Sequence, residues 1–468
     1  MLGIASFYLK GFIACSAKSS LDGLSYDTVV DPTLTNGAHN NSNNNNSIKQ
    51  GMKTKRRRVG IKRSLKTGSG AGRPLKIEAS KLKAKLDKGE DLFILDVRTP
   101  EEHEAWKLSY DKYQKTPVIP VDQLASSHDV MKQIPKDKEI VTLCAHGHRS
   151  QMAARMLSKL GYNVKSIKGG MAAWNQVYDV AEVPLPSAVS QKHKQVRVWQ
   201  LRRVSKGCIS YVIASGKTAT VIDSTCDLDN SVLQLVEDND LKIANVVDTH
   251  MHADHVSGLS SLAVKTGAQA YISAKEGYDA ANRASLQVSL IRDGDEIPLG
   301  GGGGITLTAI HTAGHTEGSL CFLLKVDGKG EKLSRNYLFT GDTLFVNGVG
   351  RPDLHDKAKE FATNLYNAYH DIILEYPDDT AILPAHFDTN TITVKHGELI
   401  VDTIGSVKRK VKLISMSKGE FVKFMVSSVP PRPANYQKII ELNRQLIQCD
   451  QINMGDLEAG PNSCAIRM

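Results

Sequence analysis

The sequence predicts an α/β protein with two folded domains, a small one on a parallel sheet followed by a larger, strand-rich and layered one. Three observations predict it. The chain's 468 residues exceed what one ordinary core organises. From residue 75 to 180, apolar strand-like runs alternate with helix-like ones, the pattern of strands joined by crossover helices. Beyond residue 196, strand after strand ends in histidine or aspartate, as in NVVDTH at His250, ITLTAIH at His311, YLFTGD at Asp342 and AILPAH at His386.

Ahead of both domains stands a leader, residues 1–74, rich in asparagine between Asn36 and Asn46 and basic afterwards, with KTKRRR at 53–58. It has little to bury and is expected to be disordered. Much of the formal charge of +9 lies in this segment, so nucleic-acid binding by the folded body is not implied. No run is long and apolar enough to span a bilayer, and no membrane association is expected. Seven cysteines without regular spacing or a CxxC pair predict a reducing compartment and no disulfide framework. A cytoplasmic location is expected, with the mitochondrial matrix as the alternative in a eukaryotic host.

The first domain, 75–180, opens with a helix over 78–88 and the strand LFILDV at 92–97, apolar enough to be covered on both faces. EEHEAW starts a helix, EIVTLC is a strand ending at Cys144, SQMAARMLSKLGY is a helix, NVKSIKG a strand and MAAWNQ a closing helix. Between Cys144 and the helix beginning near Ser150 lie only Ala145, His146, Gly147, His148 and Arg149. A loop this short, curled around the sulfur, aims backbone N–H groups and a helix N-terminus at one anion-sized spot, with Arg149 adding charge. Such a pocket favours a thiolate or a persulfide.

Residues 181–195, with two prolines and no period, read as a linker, and 196–447 as the second domain, with 448–468 left as a tail. RVWQLRR, CISYVIA and TATVIDS are closely spaced strands suited to antiparallel pairing, and a helix returns the chain to IANVVDTH. Alternate residues leaving a strand face one side, so His250 and His252 can share a cavity that Asp254 and His255 enter from the next turn. Imidazoles and carboxylates at this density ask for a divalent metal. His315 on TAGHTEGS, Asp342 and His386 add further ligands, each at or near a strand end.

The first domain resembles the rhodanese, or sulfurtransferase, family: LDVRTPEE at 95–102, CAHGHRS at 144–150 and GYNVKSIKGGMAAW at 161–174 are similar to its motifs. The resemblance implies that Cys144 accepts sulfur as a persulfide, that Arg149 binds the donor's oxyanion end, and that His146 and His148 bear on specificity. The second domain resembles the metallo-β-lactamase superfamily through THMHADH, GHTEGS, GDTLF and PAH, in that family's order. The implied fold is a rhodanese-like α/β domain followed by an αββα metallo-β-lactamase sandwich with its metal at one edge.

Within that superfamily, HADHVSG, GVGRPDL at 348–354, EFVKFM and PPRPANYQKIIELN are similar to the persulfide dioxygenase branch. This resemblance implies one Fe(II) per chain on His250, His315 and Asp342, with His252, Asp254, His255 and His386 as supporting residues or a second metal site. Asp254 is then placed to hold a ligand imidazole in its tautomer, and Arg351 to bind a glutathione carboxylate. The implied partners are glutathione or another small thiol as its persulfide, O2, and thiosulfate or sulfite, in a homo-oligomer. PAHFDT replaces the family's PAHDY, so Phe387 stands where a polar residue is usual and the tyrosine after it is missing. Two alternatives remain: a glyoxalase II-like thioester hydrolase with two zinc ions shared among the same seven residues, and a non-catalytic persulfide sensor.

Overall fold

The computed structural model describes residues 75–467 apart from 115, 187–194, 301–303, 329–333, 355–356 and 433–434. The expected leader and the centre of the expected linker lie outside the described residues. The described residues all fall in one compact unit.

The first domain is a four-stranded parallel sheet in the order Leu75–Ile77, Val164–Ile167, Glu139–Leu143, Leu92–Asp96. The two central strands carry an almost unbroken buried run, as strands with helices on both faces must. The short edge strand Leu75–Ile77, read in the sequence only as the onset of order, closes one side. The helix Pro100–Ala105 begins in a capping box, Thr99 accepting from the backbone N–H of Glu102 while Glu102 reaches back to that of Thr99.

The second domain has two sheets face to face. One runs, edge to edge, through Ser289–Ile291, Gln269–Ser273, Lys242–Val247, Thr218–Ile222, Ile209–Ser215, Val196–Arg203 and Tyr178–Val183. The other runs through Glu296–Pro298, Thr306–His311, Leu320–Val326, Arg335–Gly341, Ala381–Pro384 and Asp402–Thr403. Ile213, Ile222 and Val247 from the first meet Leu307, Phe322 and Phe339 from the second in one buried cluster. On the outer faces, Leu259 and Leu262 of helix Leu259–Thr266 cover one sheet, and Leu365 and Tyr369 of helix Ala358–Asp371 cover the other. These are the four layers of an αββα sandwich. Tyr211 pins the two sheets at one end, its ring edge-on to Phe339 at 4.9 Å and its hydroxyl donating to the Pro384 carbonyl at 2.7 Å.

Three expectations need correction. The linker begins later than 181, because Tyr178–Val183 is an edge strand paired along its length with Val196–Arg203. Its Asp179, buried between the domains, accepts from Lys83 (2.6 Å) and His396 (2.7 Å) and also pairs with Arg202. Nor is the segment after 447 a free tail. Ala465–Ile466 adds a strand to Gly348–Gly350, and Glu458, 2% exposed, pairs with Arg203 at 2.5 Å and accepts from the Val256 backbone at 2.8 Å.

The third correction is a disulfide between Cys226 and Cys449, with Cα atoms 5.3 Å apart across 223 residues of sequence. Spacing along the chain carried no hint of it, because the partners meet only after the C-terminal segment has returned over the domain. We predict that Cys449→Ser lowers the unfolding free energy by about 2–4 kcal/mol in urea titrations, the usual worth of a long-range crosslink. Equal stability of variant and oxidised parent would show that the bond contributes nothing. Removing the Asp179 carboxylate leaves the buried Arg202 without its counter-charge, although Lys83 keeps Asp87, so Asp179→Ala should cost about 3–5 kcal/mol in the same measurement. A loss below about 1 kcal/mol, the range of a surface ion pair, would contradict the buried-network account.

Candidate metal centre

The strand Lys242–Val247 lies inside its sheet, paired on both sides, and delivers Asp248, Thr249 and His250 to the sandwich edge. From Thr306–His311 the chain turns through Gly314, where φ is +151° and a Cβ would sit 2.6 Å from the Leu365 backbone, leaving no room for a side chain. His315 follows that turn. Gly341 (φ +51°) ends Arg335–Gly341 immediately before Asp342, and a Cβ there would strike the Thr249 side chain. Ala381–Pro384 leads to His386. Four strand ends therefore meet at one edge, as the sequence predicts.

The structure brings three of the predicted ligands together. Asp342 Oδ2 lies 3.4 Å from His315 Nε2 and 3.8 Å from His250 Nε2, and the three donor atoms all lie within 4.8 Å of one another. All three are buried and none has a hydrogen-bond partner. Burying three convergent polar atoms without partners costs several kcal/mol, on the order of 1–3 for each, unless an ion sits among them. The donor set fits a divalent metal bound by two imidazoles and a carboxylate, with positions left open.

Protonation favours the same occupant. Burial, joined by the neighbouring His252, holds His250 well below the usual imidazole range, and burial lowers His315, so both rings are neutral donors. Burial pushes the Asp342 carboxyl up, but the His386 imidazolium hydrogen-bonded to it overcomes this and holds Asp342 well below the ordinary carboxylate range. Metal binding needs these forms, neutral imidazole and ionised carboxylate. His315 donates from Nδ1 to the Arg351 carbonyl at 2.9 Å, which leaves its Nε2 lone pair for the centre.

The other predicted residues sort into two further groups. His386 bridges Asp342 Oδ1 (2.5 Å) and Asp254 Oδ2 (3.0 Å), and His255 Nδ1 lies 3.0 Å from Asp254 Oδ1. Burial alone would lower His386, yet the two carboxylates raise it well above the usual range, so it is an imidazolium between anions. Asp254 thus engages His255 and His386 rather than holding a triad imidazole in its tautomer. His252 falls with Asp223 and Asp248, its Nε2 3.3 Å from Asp223. Asn443 binds the loop from above, donating to the carbonyls of His252 and His255 and accepting from the Ser257 N–H, each at 2.9 Å.

Arg351 differs from expectation. Its guanidinium is buried, forked onto Asp353 (2.7 and 3.0 Å) and bonded to the Pro430 carbonyl and to Ser463. With its donors taken, it fastens the C-terminal segment and steadies the carbonyl that holds His315, and it presents no face to a ligand carboxylate. Asp353, two residues on in GVGRPDL, is the reason. Phe387 is fully buried, and its carbonyl accepts from Asn462 at 3.1 Å.

Sequence reasoning missed two cysteines. Cys208 Sγ lies 3.3 Å from Asp254 Oδ2 and 3.9 Å from His255 Nδ1, forming a four-donor group with Asp254, His255 and His386. Cys464 groups with Asp342 and His386. A lone cysteine in an apolar strand reads as a small hydrophobe, and Cys464 lay in the supposed tail; no sequence signal separates them from core residues.

In the first domain, Cys144 is 2% exposed at the end of Glu139–Leu143, and its sulfur accepts from the Gly147 N–H at 3.1 Å. The N–H groups of Met171 and Ala172 donate to the carbonyls of Cys144 and Ala145. A Cβ on Gly170 would sit 2.2 Å from the Cys144 oxygen, so this cradle requires glycine there. His146 and His148 are exposed on the rim. Arg149 forks onto Glu102 at 2.7 and 2.5 Å, so a donor oxyanion has to displace a half-exposed carboxylate to reach it.

Two family models match the chain, a metallo-beta-lactamase superfamily model over residues 206–386 and a rhodanese-like domain model over 78–177. The human protein "Persulfide dioxygenase ETHE1, mitochondrial" is 30% identical over 228 residues, covering 48% of this chain and 78% of that one. The chain belongs to the metallo-beta-lactamase superfamily, as an ETHE1-like domain fused behind a rhodanese-like one. An uncharacterized protein of Mycobacterium tuberculosis is 31% identical over 206 residues, covering 40% of this chain and 88% of its own. The crystal structure of ETHE1 from Myxococcus xanthus aligns at 29% identity over 52% of this chain and 96% of its own, with a TM-score of 0.43.

The three-atom site predicts that His315→Ala abolishes stoichiometric metal binding, whereas His252→Ala, outside it, leaves metal content near that of the parent. Elemental analysis after anaerobic reconstitution and desalting tests this, and equal loss in both variants would contradict the grouping.

Proposed function

We propose that the second domain oxidises a low-molecular-weight thiol persulfide, glutathione persulfide foremost, with O2, and that the first moves sulfane sulfur through Cys144. The balance is RSSH + O2 + H2O giving RSH, sulfite and two protons. One observation carries the reading: two neutral imidazoles and one ionised carboxylate present three unpartnered atoms to a common point, while His252, whose ring nitrogens are also unpartnered, groups instead with Asp223 and Asp248. Iron(II) held by His250, His315 and Asp342 supplies the redox chemistry by which O2 and a sulfur substrate react at one centre. The name of the human relative supports the same chemistry.

The chain's own residues have separable tasks. His386 keeps one Asp342 oxygen occupied so that the other faces the centre, and its protons stay between Asp342 and Asp254. The burial of His250, His315, Asp342 and His386 keeps bulk water from the reacting atoms. At Cys144, the Gly147 N–H stabilises sulfur anion, and thiosulfate either donates its outer sulfur to give a Cys144 persulfide and sulfite or is formed by the reverse transfer. Sulfite and persulfide are common to both half-reactions, so joining the domains raises the local concentration of what they share.

The four-donor group of Cys208, Asp254, His255 and His386 favours a second reading, a two-zinc thioester hydrolase of the glyoxalase II kind. Paired variants test the proposal. Asp342→Ala should abolish persulfide-dependent O2 uptake and keep thiosulfate-dependent sulfur transfer, and Cys144→Ser should do the reverse. Hydrolysis of S-lactoylglutathione that is lost in Asp342→Ala would favour the second reading, and loss of both activities in both variants would refute independent sites.

A further inference from the structure

The His250 ring is set by a two-residue relay that starts on a different strand. Asp223 follows the strand Thr218–Ile222, and its carboxylate accepts from the Thr249 backbone N–H at 2.7 Å and lies 2.9 and 3.0 Å from the Thr249 hydroxyl. That hydroxyl is also 2.9 Å from His250 Nδ1. A threonine hydroxyl has one proton, and a carboxylate only accepts, so the proton goes to Asp223. Toward His250 the oxygen can then only accept. Nδ1 carries the hydrogen, and Nε2 is left with its lone pair toward Asp342 and His315.

Thr249 cannot easily do otherwise. Its N–H is held by Asp223, its carbonyl accepts from the Leu320 N–H at 2.8 Å, and its side chain lies against Gly341, where any Cβ would come within 2.7 Å of the hydroxyl. Three strand ends therefore fix one hydroxyl. One is that of Lys242–Val247, another that of Arg335–Gly341, which carries Asp342. Asp223 also stands 3.3 Å from His252 Nε2, so the same carboxylate meets one imidazole of the HMH sequence directly and the other through Thr249.

We infer that Thr249 and Asp223 are positioning residues for the metal centre, selecting the His250 tautomer that leaves Nε2 free to bind. The inference rests on the triad reading. A ring without this partner divides its proton between two nitrogens and turns more freely, and loss of such outer partners typically weakens metal binding by about 10–100-fold.

Fe(II) alone is the probe, titrated anaerobically into the metal-free full chain against a competing chelator. Thr249→Val, which keeps the shape and removes the hydroxyl, is expected to weaken Fe(II) binding by about 10–100-fold, and Thr249→Ser to restore it. Nitrogen-15 NMR of the metal-free proteins gives a second readout: the unprotonated nitrogen of His250 should be Nε2 in the parent and in Thr249→Ser, and should become mixed in Thr249→Val. Asp223→Asn can donate to the hydroxyl and reverse the relay, so it should also weaken binding and carries the test if Thr249→Val does not fold. Parent-like affinity and tautomer in both Thr249→Val and Asp223→Asn would overturn the inference. His250→Ala separates the failures. If it binds Fe(II) like the parent, the triad reading itself falls and the inference with it; if it loses Fe(II) while Thr249→Val does not, only the relay is wrong.

Discussion

The second domain depends on a carboxylate whose two oxygens have different tasks. Asp342 gives Oδ1 to His386 and leaves Oδ2, fully buried, facing the Nε2 atoms of His250 and His315. An ionised carboxylate in the interior is unfavourable unless cations or donors surround it, and here an imidazolium stands on one side and an ion-sized gap in hydrogen bonding on the other. Much of the nearby structure serves that arrangement. Gly341 makes the turn, Tyr211 fixes the end of the strand leading to His386, and the Arg351 carbonyl directs His315. The site is stable as a metal centre and costly without metal.

The C-terminal segment is the less expected part of this shell. Glu458 neutralises Arg203 beneath the HADH loop, Ser463 helps to saturate Arg351, Cys464 approaches Asp342 and His386, and the Cys226–Cys449 bond anchors the segment near its start. Asn175, directly after the helix Gly170–Trp174 that cradles the Cys144 loop, donates to the Glu458 carbonyl at 2.9 Å. A few residues thus join the Cys144 loop of one domain to the candidate metal centre of the other. That continuity gives the fusion a physical basis.

Most of the fold was legible because its signals are local. Apolar strands ending in histidine or aspartate locate the sandwich edge, and alternating strands and helices give the first domain its parallel sheet. The family resemblance names His250, His315 and Asp342 as ligands, and these are residues whose donor atoms the fold brings within 4.8 Å of one another, whereas density alone also offers His252. What escaped were features made by chain return. Cys208, Asp223, Thr249 and Cys464 are ordinary residues in their local context, and they acquire a role only when strands far apart in sequence are laid side by side. Arg351 illustrates the converse. A guanidinium suits a carboxylate ligand, but Asp353 two residues later supplies the carboxylate from within the chain.

The most direct test of the central claim is the metal and oxygen stoichiometry of the full chain, purified without O2 and assayed with glutathione persulfide in an oxygen electrode with sulfite trapping. The account predicts about one iron per chain, as a single two-histidine, one-carboxylate site holds, and one sulfite for each O2 consumed. Two zinc ions per chain with no persulfide-dependent O2 uptake would contradict it.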